Sequence, residues 1–101
     1  MYYIYILYAP SSDRYYVGHT IDVVRRLNEH NTTDHITYTS KYRPWILAAV
    51  FSCGEERAVA MKLESLIKRQ KSRRFMLKLI SGEQTLTGEF AQLVKVPHVR
   101  D

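Results

Sequence analysis

The chain opens on an uncharged, β-branched and aromatic run, Tyr2–Tyr8 (YYIYILY), which predicts a strand. Successive strand residues face opposite ways, so Tyr3, Tyr5 and Leu7 share one face and Tyr2, Ile4, Ile6 and Tyr8 the other. Ala9-Pro10-Ser11-Ser12-Asp13 is turn chemistry, and Arg14–His19 returns as a second strand, closing an antiparallel hairpin. There Tyr16 and Gly18 face one way, and Tyr15, Val17 and His19 the other. With a regular turn, Tyr5 and Tyr16 become direct or diagonal neighbours. Gly18 leaves a gap beside them, where something can approach the backbone.

The period then changes from two to 3.6. Thr20 and Asp22 are cap residues, and Asp22–Asn31 reads as a helix with a buried stripe of Val23, Val24 and Leu27. Arg25 projects away from that stripe, while Arg26 and His30, four apart, line up along one edge. A polar loop, Thr32–Arg43, leads past Pro44 into a third strand, Trp45–Ser52. Ser52-Cys53-Gly54-Glu55 has capping-box spacing and opens a long helix to about Gln70, with Val59, Ala60, Leu63, Leu66 and Ile67 as its stripe and Glu64 at the margin. Ser72 caps a further helix ending near Ser81-Gly82. Beyond it the pattern weakens to a short helix or strand near Glu89–Val96 and a frayed end. The sum is an α/β unit over residues 1–82, a small three-stranded antiparallel sheet flanked by helices in the order β-β-α-β-α-α. Residues 83–101 form a C-terminal extension.

Size and charge narrow the partners. At 101 residues the chain suits one domain with a modest core. Fifteen Lys and Arg against ten Asp and Glu give a formal charge of +5, which suits a polyanion, nucleic acid ahead of an anionic membrane surface. The basic run Lys68-Arg69-Gln70-Lys71-Ser72-Arg73-Arg74, with Arg25, Lys41 and Arg43, supplies the cations for phosphate contact. The competing reading of such a run is a solvated surface. Cys53 is the single cysteine, so there is neither an internal disulfide nor a zinc cluster, as expected in a reducing cytoplasm. No apolar run approaches the roughly 20 residues of a membrane span, and the first residues lack a secretory pattern. The expectation is an intracellular protein without a membrane partner.

Six of the eight tyrosines fall within the first sixteen residues, although a phenol is a costly strand builder unless its hydroxyl is satisfied. Aromatic pairs that merely stabilise a hairpin would explain them. An arginine at the border of an apolar face can hold a phosphate while its stem stays packed, and His30 can donate to the same anion or to a phenol. Glu64, a carboxylate at a core margin, suits a hard divalent cation; the plainer reading, which holds for most such glutamates, is an ion pair with Lys68.

Taken in order, Tyr3-Ile4-Tyr5, Tyr16-Val17-Gly18, then Arg26 and His30 on one helix and Glu64 on a later one, the chain resembles the GIY-YIG nuclease superfamily. It is most similar to small single-domain members and to the nuclease domain at the front of the bacterial excision-repair protein UvrC. The likeness covers roughly Met1 to Gly82. It departs in three places: Tyr3 replaces the first motif's glycine, His19 stands where some relatives carry lysine, and the asparagine many relatives place after the glutamate helix has no clear counterpart. The resemblance implies a metal-dependent DNA endonuclease selective for a branch, flap or damaged structure in repair or recombination. It implies Tyr5, Tyr16, Arg26, His30 and Glu64 as the catalytic set, His19 as a helper, and one Mg²⁺ or Mn²⁺ held by Glu64. Either tyrosine can serve as the base, with Tyr16 preferred and Tyr5 orienting it. DNA is the expected partner, RNA the alternative, and a partner protein or homodimer would supply targeting. Two other classes compete: a non-catalytic nucleic-acid-binding module with the same fold, and a protein-interaction domain using the aromatic surface.

Overall fold

A computed structural model describes residues 1–32, 37–82 and 86–97. The tyrosine-rich segment forms β1 (Tyr3–Ala9), and β2 (Arg14–Thr20) returns beside it in antiparallel register, with Tyr5 opposite Gly18 and Leu7 opposite Tyr16. Tyr5 and Tyr16 are therefore diagonal neighbours on one face, as the alternation predicts, with ring centroids 6.4 Å apart. The third strand, β3 (Ile46–Ser52), pairs with the other side of β1. Ile4, Ile6 and Leu7 are fully buried because β1 is central and covered on both faces.

The three-stranded sheet of the sequence reading is corrected to four strands in the order β2-β1-β3-β4. The C-terminal extension makes both elements allowed for it: a 3₁₀ turn at Gly88–Gln92, then β4 (Val94–Val96) against β3. Pairing there satisfies backbone groups that β3 would otherwise leave open. Leu93 is buried in the main core, and Phe90 packs on Phe75 with ring centroids 5.5 Å apart. The frayed end expected at the carboxyl terminus lies outside the described residues, apart from Pro97.

Helices cover both sides. On one lie α1 (Val23–Thr32) and a 3₁₀ turn at Thr39–Tyr42; on the other lie α2 (Arg57–Gln70) and α3 (Arg73–Ser81). Asp22 caps α1 through a carboxylate accepting from Arg25 N at 3.0 Å. Ser72 caps α3 by accepting from Phe75 N. Two local readings are corrected. Ser52 does not cap α2, because it is still paired in β3 opposite Tyr3; the chain turns at Gly54 (φ 95°) and α2 begins after Glu56. Val24 is 80% exposed, so the inward edge of α1 is Val23, Leu27 and His30 instead. Part of the polar loop, residues 33–36, lies outside the described residues.

The core is split by the sheet. Ile4, Ile6, Val17, Phe51, Ala60, Leu63, Ile67 and Leu79 pack between the sheet and α2 and α3. Tyr5, Leu7, Ala9 and Trp45 pack on the other side, against Val23, Leu27 and Tyr42. Among the described residues, no helix is long and apolar enough to cross a membrane.

Candidate active site

The predicted polar residues gather at the edge formed by β2. The tight register at Gly18 seats Tyr5: a Cβ at residue 18 would lie 2.3 Å from the Tyr5 hydroxyl, so only glycine lets the phenol lie across that strand. Tyr5 is 1% exposed, and its Oη lies 2.9 Å from His30 Nε2. His30 Nδ1 lies 2.9 Å from Thr39 Oγ1, and the Thr39 carbonyl accepts from Trp45 Nε1 at 2.7 Å. Arg43 Nε donates to the His30 carbonyl at 2.7 Å, and Asn31 bonds the Trp45 backbone twice, at 3.0 and 2.7 Å. The carboxyl end of α1 is thus stitched to the segment leading into β3, and His30 cannot swing away.

The electrostatics of this relay follow from burial. Desolvation, reinforced by Arg26 and Arg43, pushes the His30 pKa from 6.5 down to about 4, so the ring is neutral at pH 7. One nitrogen donates and the other accepts, matching two hydroxyl partners that can each do either. Burial likewise pushes the Tyr5 phenol up to about 12, despite the hydrogen bond and positive charge of Arg26. Tyr5 is a neutral hydroxyl here. Arg26 is desolvated too, but Glu29 (Nη1 to Oε1, 3.0 Å) and the Tyr5 phenol more than offset this and hold its pKa up. An open cavity of about 510 Å³ lies against this group, lined by Tyr16, Arg26, Glu29, His30, Thr37, Tyr38 and Thr39.

Glu64 comes from α2, on the opposite side of the sheet. Its Oε1 lies 2.7 Å from His19 Nδ1 and its Oε2 2.8 Å from Lys68 Nζ, so the simple ion pair to Lys68 is present. Burial raises the carboxyl's pKa, but the hydrogen bonds from Lys68 and His19 outweigh it and hold the carboxylate low. Because β2 is an edge strand, side chains from both faces reach around it. Lys68 Nζ stands 5.5 Å from the centroid of the Tyr16 ring, and the charge of Glu64 is felt at the Tyr5 phenol. Tyr16, whose ring is 5.0 Å from that of His30, joins the two groups.

Among the described residues no cluster of three or more His, Cys, Asp or Glu is assembled. One anionic carboxylate beside an imidazole fits a hard cation that keeps most of its waters, as Mg²⁺ does. The predicted DNA contacts separate. Lys68 stands beside Glu64, and Lys71 takes the left-handed C-cap of α2. Arg73 is paired with Asp13 and lies over Tyr15, 5.1 Å from the ring centroid. Arg69 and Arg74 are exposed beside them, Arg25 and Lys41 are exposed on the α1 side, and Arg43 is half-buried under the end of α1. Thr39, Glu29 and Tyr38 also stand at the site and were missed by sequence reasoning. A buried His30 demands hydroxyl or carbonyl partners, yet nothing local distinguishes Thr39 from its Thr and Ser neighbours.

The family described as the GIY-YIG catalytic domain matches residues 1–78. The structure-specific endonuclease subunit SLX1 of Meyerozyma guilliermondii is 32% identical over 98 residues, 92% of this chain and 33% of that protein. This chain therefore spans about a third of that relative. A UPF0213 protein of Streptococcus agalactiae is 39% identical over 80 residues, 77% of this chain and 85% of the relative. Another, from Haloquadratum walsbyi, is 36% identical over 66 residues, 65% and 72% of the two chains.

Proposed function

This chain belongs to the GIY-YIG family of catalytic domains, and from that premise we propose that it is an endonuclease hydrolysing DNA phosphodiester bonds with one divalent cation, Mg²⁺ or Mn²⁺. The observation that carries the reading is the gathering of two phenols, a guanidinium and a lone carboxylate around the exposed edge of β2. Arg26, held charged and facing the cavity, binds the non-bridging oxygens of the scissile phosphate and stabilises the charge they gain. Tyr5, buried and bonded to His30, orients the cavity wall. Tyr16 lines the cavity, and once its phenol has given its own proton to solvent, the phenolate oxygen takes the proton of the attacking water. His30 stays neutral and fixes the Tyr5 hydroxyl, while His19 steadies the Glu64 carboxylate. Glu64 would hold the cation, which supplies neutralisation of the leaving oxygen and a more acidic bound water.

Branched, flapped or damaged DNA is the favoured substrate, since a relative bears the name structure-specific endonuclease and so small a unit has little surface for base readout. Repair or recombination inside the cell is the corresponding role. RNA is the alternative polyanion. That relative's name as a subunit supports targeting by a partner protein, with a second copy of this chain as the alternative. The test incubates purified protein with labelled flap, branched, single-stranded and duplex DNA in Mg²⁺, Mn²⁺ or chelator. Arg26→Ala and Glu64→Gln are each expected to lose about 10²–10³-fold or more in cutting rate while unfolding near the wild-type temperature. Wild-type cutting by both variants would remove the site assignment. One observation favours a second reading, a non-catalytic nucleic-acid-binding module: both Glu64 oxygens are already engaged, by His19 and Lys68. Chelator-insensitive binding with no product in either metal would select it.

A further inference from the structure

Tyr16 and Tyr38 line two cavities at once: the one holding Arg26 and His30, and a second of about 370 Å³ whose wall includes Tyr15, Lys68, Lys71 and Arg73. We propose that this second cavity binds an unpaired nucleotide of the DNA strand next to the cut bond, its base stacked on Tyr38 and its phosphate on Lys71 and Arg73. The proposal rests on the DNA-cutting reading and deepens it by naming the structural feature recognised.

Tyr38 is the anchor. It is 49% exposed and takes no part in the buried cluster formed by Tyr5, Leu7, Ala9 and Trp45. Its ring is nonetheless held, nearly parallel to Tyr16 (29°, centroids 6.3 Å apart) and against Tyr42 at 5.1 Å. Tyr42 is in turn covered by the Arg14 guanidinium, 4.3 Å from its centroid. A half-exposed aromatic braced by other rings presents a π-face at little further entropic cost. The same lining carries the cations Lys68, Lys71 and Arg73: Arg73 is held by Asp13 and by the Tyr15 ring, and Lys71 stands at the turn between α2 and α3.

A stacking platform in one cavity with cations is the physics of single-strand binding. Bases inside a duplex stack on one another and offer Tyr38 no free face, so the cavity discriminates against fully paired DNA. A strand entering it from the Arg26 cavity passes Tyr16 and Tyr38, the partition the two spaces share. The nucleotide on Tyr38 is therefore the neighbour of the one whose phosphate meets Arg26.

Equilibrium binding in chelator, read by fluorescence anisotropy on flap and fully duplex DNA, tests this without any cutting. Tyr38→Ala should weaken flap binding about tenfold and leave duplex binding unchanged, and Tyr38→Phe, which keeps the ring, should bind as wild type. An abasic nucleotide at the unpaired position beside the junction should cost the wild type the same factor and cost Tyr38→Ala nothing more. Equal loss on flap and duplex, or an abasic penalty that persists in Tyr38→Ala, overturns the proposal. Since the readout needs no metal, a wild-type protein that binds this way but cuts nothing in Mg²⁺ or Mn²⁺ would sink the nuclease reading alone.

Discussion

The two faces of the sheet are built on different principles. Under α2 and α3 the core is aliphatic, with Ile4, Ile6, Val17, Leu63, Ile67 and Leu79 closing over Phe51. Under α1 the buried set joins the aromatic Tyr5 and Trp45 to Leu7 and Ala9, and the polar groups His30 and Thr39 are buried with it. The first face is held by apolar area, which is tolerant of direction. The second is held by a directed chain, Tyr5 to His30 to Thr39, backed by the Trp45 indole on the Thr39 carbonyl, and its worth depends on every link being made. A polar network of that kind is a poor way to gain stability and a good way to fix a phenol against a guanidinium. One face is held mainly by apolar area, while the other fixes a phenol beside a guanidinium, and Glu64 reaches the same strand edge from the first face.

The strongest challenge to that division is Leu63→Ala. Leu63 is 2% exposed on α2, and its truncation should cost about 2–5 kcal/mol, read as a lowered midpoint in denaturant. The folded fraction should still cut DNA at the wild-type rate, because none of the site residues loses a partner. A per-folded-molecule rate as low as that of Arg26→Ala would mean the two faces are not separable.

Acid should find the polar face first. His30 is neutral in the fold with a pKa near 4, against 6.5 when unfolded. Between those values the unfolded chain binds a proton that the folded chain refuses. The stability is full above pH 6.5 and falls as pH drops toward 4, by about 2–3 kcal/mol from this group. Chemical unfolding from pH 7 to pH 4 should show the loss in wild type, and His30→Gln should remove that share of the slope. Identical slopes would mean the ring is not held neutral by burial.

Gly18→Ala sharpens the comparison at one atom. The added methyl meets the Tyr5 ring and hydroxyl at 2.3–2.9 Å, and a buried ring has little room to retreat. Overpacking of this kind costs about 1–3 kcal/mol. The ring can escape only by moving its hydroxyl off His30. Cutting should therefore fall far more than the stability loss explains, whereas Leu63→Ala shows the reverse ratio. Wild-type cutting by Gly18→Ala would separate the Tyr5 position from the chemistry.

What could be seen in the sequence was what local periodicity encodes. Alternation, with a regular turn, places Tyr5, Tyr16 and Gly18 on one face, and a period of 3.6 puts Arg26 and His30 on one edge of α1. The serine cap of α3 was legible for the same reason. The misses are non-local. Ser52 has the spacing of a cap, but pairing opposite Tyr3 keeps it in the sheet. The three residues of β4 gain their identity only from β3. Thr39 is chosen by a histidine nine positions earlier, and the contribution of Tyr38 depends on a cavity wall drawn from β2, α2 and α3.

Val24 gives the smallest and cleanest contrast. Val23 and Val24 are about 100° apart on a helix, so both cannot face the sheet squarely. A stripe drawn from apolar residues alone averages over Val23, Val24 and Leu27. The true inward edge runs from Val23 through Leu27 to His30, because a hydrogen-bonded imidazole takes a place that hydrophobicity would not assign to it. Val24 then points to solvent, and Val24→Ala should change stability by no more than about 0.5 kcal/mol, with a slight gain expected from alanine's better helix propensity. Leu27 packs against the cluster of Tyr5, Leu7, Ala9 and Trp45, so Leu27→Ala is the paired control and should be clearly destabilising. Equal losses at the two positions, measured by denaturant unfolding, would rotate α1 away from this placement and take Arg26 and His30 with it.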